Sequence, residues 1–339
     1  MLYTDTCDYG DTYFVNTDKT AVYVSQSWSL NGTIYERGGS FSWDTVGDIF
    51  LYSNADVVPC ADKEYSILVA EEKATIVRYL GSATSLTIPD LIYNNGKYYT
   101  INVIGDNAFE DCSSLTHIII PDCVESVGSS AFARCSSLVS ITIPKSVKTI
   151  GANAFLKCEA LNVVNITSLI DWYETDFGNT GNPLVFADTL CLNGTVVKDF
   201  SIPVGVRRIG SYALAFQTRL SHIDIPEGVV SIGDCAFYAS TTLKTVTIPD
   251  SVTSIGYGAF YCSGLTRITI PKNVEQIGYS AFAGCNALKS VIFDDPFGWY
   301  THYYGDTIDD FSAELLAKPS TAASYITGQY RNLNWYKNK

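Results

Sequence analysis

The sequence predicts a repeat solenoid, β-rich with short helical turns. Units of about 23 residues coil right-handedly and stack, after a small N-terminal β module and before a C-terminal cap. Three observations predict it. A template returns at fixed spacing: Leu115-x-x-Ile118-x-Ile120-Pro121-x-x-Val124-x-x-Val127-Gly128-x-x-Ala131-Phe132-x-x-Cys135 is followed 23 residues later by Leu138 through Ile141, Ile143-Pro144, Val147, Ile150-Gly151, Ala154-Phe155 and Cys158. Within each unit, Ile118-x-Ile120 and its equivalents alternate at the period of a strand. The composition is that of a core-forming β chain, 47% apolar and only 17% charged, with 23 Tyr and 16 Phe.

Taken in order, residues 1–62 alternate Tyr, Thr and Val among scattered Gly and read as a small β-rich module without a nameable motif. The solenoid covers 63–293. Its first coil carries a predicted hairpin, Tyr93 to Tyr99, around Asn95-Gly96. The units opened by Leu115 and Leu138 are regular. Residues 167–199 then depart from the template through Asp171-Trp172-Tyr173, Asn182-Pro183-Leu184 and Leu192-Asn193-Gly194, which predicts a longer coil with a hairpin at Asn193-Gly194. The next coil runs through Ile202-Pro203, Ile209-Gly210 and Ala213-Leu214, with Leu in place of Phe. Leu220, Leu243 and Leu265 open three more, the second of them one residue short, and residues 294–339 form the cap.

Each template position has a physical reading. The two aliphatic residues of Ile118-x-Ile120 point inward and the residue between them outward, and stacked coils pair these strands in parallel. Pro121 lacks an N–H and ends the ladder. Gly128 permits a tight corner where a Cβ is costly. Ala131 lets a short turn or helix approach closely, Phe132 fills the coil interior, and Cys135 reads as a small buried apolar group. A lone coil buries too little to offset its chain entropy, so neighbours and end caps are required.

Several function classes are excluded or disfavoured. A net charge of −13 argues against nucleic acid as a partner, since affinity for phosphate comes from Lys and Arg. No run of eighteen apolar residues exists and Met1 to Thr20 are polar and acidic, which predicts a soluble chain without membrane insertion. There is no His-Glu-x-x-His, Gly-x-Ser-x-Gly, P-loop or EF-hand loop, and Gly256-x-Gly258 is a corner glycine plus a variable position. Asp309-Asp310 and Glu314 read as solvated cap residues. Trp172, Tyr173, Trp299 and Tyr300 read as core groups closing irregular coils. Cys112, Cys135, Cys158 and Cys285 share one template position and read as a ladder of reduced thiols. Cys7, Cys60, Cys123, Cys191, Cys235 and Cys262 fit no evident pairing, and without a Cys-x-x-Cys zinc is not expected. His117 and His222 lie several coils apart, too far to share a metal, and His302 has no evident partner. No cofactor or metal is expected. The Asn31, Asn165 and Asn193 sequons carry no inference.

The alternation leaves a two-file outward stripe as the candidate binding surface: His117 and Ile119, Ser140 and Thr142, Val163 and Asn165, His222 and Asp224, Thr245 and Thr247, Arg267 and Thr269, Ser290 and Ile292. A curved parallel sheet offers such side chains on a regular grid suited to an extended ligand.

The string Leu-x-x-Ile-x-Ile-Pro-x-x-Val-x-x-Ile-Gly-x-x-Ala-Phe-x-x-Cys closely resembles the BspA-like, treponemal-type leucine-rich repeat of bacterial surface proteins, over roughly residues 63 to 339. Ile or Val replaces the Leu of the commoner pattern, and there is no Asn ladder. The irregular stretch 167–199 resembles the variant repeat interposed in this family, and 294–339 its cap. The resemblance implies an exported, non-enzymatic protein at the bacterial surface or secreted. It implies that the exposed strand face binds an extracellular protein or glycan in adhesion, with the chain acting as a monomer. The alternative it leaves is a structural spacer whose recognition lies in residues 1–62.

Overall fold

The computed structural model describes residues 64–198, 200–303 and 306–338, with backbone alone at 302–303 and 306–309, and before them only the strands between Tyr3 and Pro59. The readings made of Cys7, Cys60, Asn31 and the side chains of His302 and Asp309, and the role of residues 1–62, lie outside the described residues. Of that first segment, Tyr3–Thr6, Thr12–Val15, Ala21–Val24 and Ser40–Ser42 pair antiparallel in one sheet. Val57–Pro59 pairs with Tyr65–Ala70, so the sheet that opens the solenoid already includes residues ahead of 63.

From there the chain is a β-solenoid of 23-residue turns with three hydrogen-bonded sides. On the first, Ser85–Thr87, His117–Ile119, Ser140–Ile143, Val163–Ile166 and Thr189–Leu192 pair in parallel. On the second, the end of Lys97–Ile104 is followed by Ser126–Val127, Thr149–Ile150 and Asp176–Phe177. The third is a ladder of turns, in which Phe109 N–H donates to the Ala131 carbonyl (2.7 Å) and Phe132 N–H to that of Ala154 (2.8 Å). After an interruption, the first side resumes as His222–Asp224 with Thr245–Thr247 and Arg267–Ile270 with Ser290–Phe293. The second resumes as Arg208–Ile209, Ser231–Ile232, Ser254–Ile255 and Gln276–Ile277. Asn334–Lys337 of the cap then pairs antiparallel with Gln276–Ile277 and covers that edge.

The inward positions share one continuous apolar interior, from Tyr65 to Trp335. Phe109, Phe132 and Phe155 stack at 5.1 and 5.4 Å, and Phe237, Phe260 and Phe282 at 5.1 and 5.2 Å, all inaccessible to solvent or nearly so. Trp172, Tyr173 and Trp299 are core, whereas Tyr300 is half-buried; Asp310 and Glu314 are exposed. Both Asn-Gly hairpins form, with φ of +48° and +84° at Asn95-Gly96 and +49° and +81° at Asn193-Gly194, the pair of left-handed residues of a type I′ turn.

Two template positions work differently from their sequence reading. Gly128, Gly151, Gly233, Gly256 and Gly278 do not supply a left-handed corner: that conformation falls two residues later, on Ser130, Asn153, Cys235, Gly258 and Ser280. The glycines are there because successive coils touch through their backbones. A Cβ on Gly278 would lie 2.5 Å from the carbonyl carbon of Gly256 and from the amide nitrogen of Tyr257. The cysteine position is likewise more than a small apolar filler. Cys135, Cys158 and Cys285 each donate their thiol to the carbonyl of the core aromatic residue one coil earlier, Phe109, Phe132 and Phe260, at 3.0 Å, and Ser240 does the same to Leu214 at 2.8 Å.

Burial pushes the Cys158 thiol up to about 12 and that of Cys285 to about 11, which keeps both protonated as donors. All eight cysteines among the described residues are free. Because serine already serves at residue 240, Cys158→Ser should change the unfolding free energy by no more than about 1 kcal/mol. Cys158→Val, which deletes the donor, should cost about 1 to 2 kcal/mol in urea denaturation; equal losses in the two variants would remove the hydrogen bond from the account.

Candidate functional site: the exposed strand face

The alternation that buries Ile118, Ile141 and Val164 turns their neighbours outward. In the first half of the solenoid, His117 stands opposite Ser140, then Val163 and Thr189; Ile119 stands opposite Thr142, then Asn165 and Cys191. In the second half His222 faces Thr245 and Asp224 faces Thr247, while Arg267 faces Ser290 and Thr269 faces Ile292. His117, Ile119, His222, Asp224, Thr247, Arg267 and Ile292 are exposed, and Ser140, Thr142, Val163, Asn165, Thr245, Thr269 and Ser290 half-exposed.

The stripe is not continuous. Asn165 and His222 lie on opposite sides of an interruption, because the hairpin strand Thr195–Val196 takes the pairing edge of Cys191–Leu192 and no strand forms at 200–203. Asn165 is also committed: its side-chain oxygen accepts the Gly194 N–H at 2.8 Å and ties the hairpin down. The same irregular coil breaks the phenylalanine stack, since Asn182 and Leu214 lie between Phe155 and Phe237 in chain order. Asn182 is buried and donates to the Ala213 carbonyl at 2.9 Å.

An open cleft of about 420 Å³ lies at the interruption, bounded by Asp188, Thr189, Val196, Lys198, Phe200 and Arg219. The Arg219 guanidinium spans part of it to the Asp188 carbonyl and carboxylate. Sequence reasoning missed this cleft and the outward Ser85, Thr87 and Thr189. The departure from the template at 167–199 was the available signal, but its depth depends on where the returning chain packs.

The richest cluster on the face is around His222. Its Nδ1 lies 2.6 Å from the Thr245 hydroxyl and its Nε2 3.1 Å from an Asp224 carboxylate oxygen. The hydrogen bond from Thr247, and to a lesser degree His222, holds the Asp224 carboxyl below the usual carboxylate range. Hydroxyl, imidazole and carboxylate in a row are the parts of an activated nucleophile. Here, however, the His222 and Asp224 side chains are 49% and 73% exposed, and the cluster sits on a pleated surface outside the cleft. High dielectric and free water weaken such an arrangement for catalysis, while suiting it to polar contact with a partner. Among the described residues no group of three or more His, Cys, Asp or Glu is placed to hold a metal ion, and no helix is long and apolar enough to cross a membrane.

Stacked coils with a buried repeating interior and a variable outer lattice define a β-solenoid of the protein-interaction class. The repeats themselves identify it further: six copies of the BspA type leucine rich repeat region match residues 83–182 and 188–301, and the chain belongs to that family. Among solved structures it is similar to a leucine rich cell surface protein from Faecalibacterium prausnitzii A2-165, with 31% identity over 70% of this chain and 55% of that one and a TM-score of 0.42. The chain thus spans about half of that protein. It is also similar to the T. pallidum leucine rich repeat protein, with 22% identity over 67% and 88% of the two chains and a TM-score of 0.38. The pneumococcal vaccine antigen PcpA shows 18% identity over 75% and 83%, with a TM-score of 0.33. No curated protein matches the chain.

Proposed function

We propose that this protein is a non-catalytic adhesion module, displayed at a bacterial surface or secreted, whose exposed strand face recognises an extracellular protein or glycan. One observation carries the reading: within the repeat the inward residues hardly change, whereas the outward residues at the same register pass through Ser85, His117, Ser140, Val163 and Thr189. A surface that the fold leaves free to vary, on a backbone held in register by ladders on three sides, is suited to recognition. The chain acts as a monomer in this reading, and the name of the Faecalibacterium protein, a leucine rich cell surface protein, supports surface display.

A panel of extracellular-matrix proteins and glycans identifies the ligand, and the His222→Glu and Arg267→Glu double variant tests the face. Both side chains are exposed, so the fold tolerates the change, while reversing two positive or neutral contacts should weaken binding at least about tenfold. Unchanged affinity would move the site off the strand face. Loss of binding only on removal of residues 1–56, which leaves the paired strand Val57–Pro59 in place, would favour the spacer alternative.

A further inference from the structure

The strand face carries its charge unevenly along the solenoid. In its second half each coil brings one Lys or Arg to the start of the strand: Arg219, Lys244, Arg267 and Lys289. The matching positions of the first half are Thr116 and His117, Val139 and Ser140, Asn162 and Val163, without a Lys or Arg, so the repeat folds without these bases. Backbone bonds fix their order. Lys244 N–H donates to the Ser221 carbonyl at 2.8 Å, Thr266 N–H to that of Lys244 at 3.0 Å, and Lys289 N–H to that of Thr266 at 3.0 Å. Lys244 and Lys289 therefore share one file two coils apart, and Arg267 stands in the coil between them, one residue further along its strand.

Arg219 is taken up by Asp188. Lys244, Arg267 and Lys289 are exposed and enter no ion pair among the described residues; the Lys244 ammonium meets only the Thr241 carbonyl, at 3.3 Å. With 35 acidic residues in the chain against 22 basic ones, three uncompensated cations in consecutive coils run against the composition. The carboxylates of these coils, Asp224, Asp250 and Asp294, lie at the opposite ends of the strands, where Lys272 holds Asp250 at 2.7 Å and His222 approaches Asp224 at 3.1 Å. A ligand running along the stacking axis over the strand starts thus meets the bases first. At physiological salt, where charges are screened beyond about 8 Å, it responds to them more than to the net charge.

We propose that this basic file binds a linear anionic polysaccharide bearing sulfate or carboxylate groups. The inference rests on the strand-face reading above and names its ligand class. Two coil steps of about 4.8 Å separate Lys244 from Lys289, so the cations form a row that suits charges recurring along an extended chain. Around them stand hydroxyls, Ser221, Thr245, Thr266 and Ser290, which answer those of a sugar. A protein partner needs an apolar anchor beside the charges. On these four strands the one large apolar side chain exposed is Ile292, towards the far end. Single-stranded nucleic acid needs aromatic platforms as well as cations, and no Phe, Tyr or Trp is exposed on these strands.

The test titrates a labelled heparin hexasaccharide with the full chain by fluorescence anisotropy, with hyaluronan, dextran sulfate, cellohexaose and oligothymidylate as competitors. Heparin should bind at millimolar concentration or below and weaken as salt rises. Competition by hyaluronan assigns the carboxylate and by dextran sulfate the sulfate; cellohexaose and oligothymidylate should not compete. Lys244→Glu and Lys289→Glu should each weaken binding at least about tenfold with Tm unchanged, since both side chains are exposed. Lys157→Glu makes the same change in net charge on an exposed turn of the first half and should bind as the parent does. No binding of heparin at millimolar concentration, equal losses in all three lysine variants, or oligothymidylate competing as well as the anionic sugars overturns the proposal. If a matrix protein or neutral glycan is lost in the His222→Glu and Arg267→Glu double variant while no anionic polysaccharide binds, the strand-face reading stands and this inference falls. If no ligand depends on that variant, both fall.

Discussion

Phe260→Ala is expected to lower the unfolding free energy by about 4 kcal/mol, as read by guanidinium denaturation followed by circular dichroism. Phe260 is inaccessible to solvent and is sandwiched between Phe237, at 5.1 Å and 4°, and Phe282, at 5.2 Å and 11°. Truncation therefore removes stacking on both faces as well as the transfer energy of the ring. The cavity cannot easily close, because the backbone on either side is held by the Phe237 N–H to Ala259 and Phe260 N–H to Ala281 hydrogen bonds, at 2.7 and 2.8 Å. Leu214 shows that an aliphatic residue is accommodated where the stack is already interrupted, so Phe260→Leu should cost clearly less than Phe260→Ala. A loss below about 1 kcal/mol for the alanine variant would mean that the ladder is ornamental and that the strand sides alone support the coil.

Gly151→Ala is expected to cost about 3 kcal/mol, the upper part of the range for overpacked sites. The added methyl would stand against the Ser129 amide nitrogen and within 2.6 and 2.7 Å of the Gly128 carbonyl carbon and the Ser129 Cα. These atoms cannot retreat without stretching ladder bonds on both sides, Gly151 N–H to Val127 at 2.8 Å and Ser130 N–H to Ala152 at 2.9 Å. Gly194→Ala is the matched control. It has a left-handed φ of +81° but nothing within 4 Å of a new Cβ, so it should lose only about 1 kcal/mol, from backbone strain. Urea midpoints of the two variants decide between close approach and conformational freedom as the reason for the repeated glycine; equal losses would reject the close-approach account.

Much of the fold was legible because a solenoid repeats one local solution. Ile118, Ile120, Val124, Val127, Ala131 and Phe132 are read as interior from spacing alone, and each is buried. The hairpins at Asn95-Gly96 and Asn193-Gly194 are equally local, since two residues with positive φ specify the turn. The candidate site was legible only in part. Alternation identifies which side of the strand His222, Asp224 and Arg267 occupy, but the contact of His222 with Thr245 spans 23 residues and depends on register.

The sequence by itself determined the period, the interior, the parallel pairing and the family, because all four follow from which side chains recur every 23 residues. Only the tertiary structure decided why the recurrent glycine and cysteine are there. Both answer to the neighbouring coil: Gly151 to the backbone of Gly128 and Ser129, Cys158 to the carbonyl of Phe132. It also decided that the outward stripe is divided, and that Tyr238 and Tyr261, separated in the chain, lie ring on ring. The physical reason is common to these cases: a repeat encodes what each coil does alone, while contact between coils depends on the offset at which they stack.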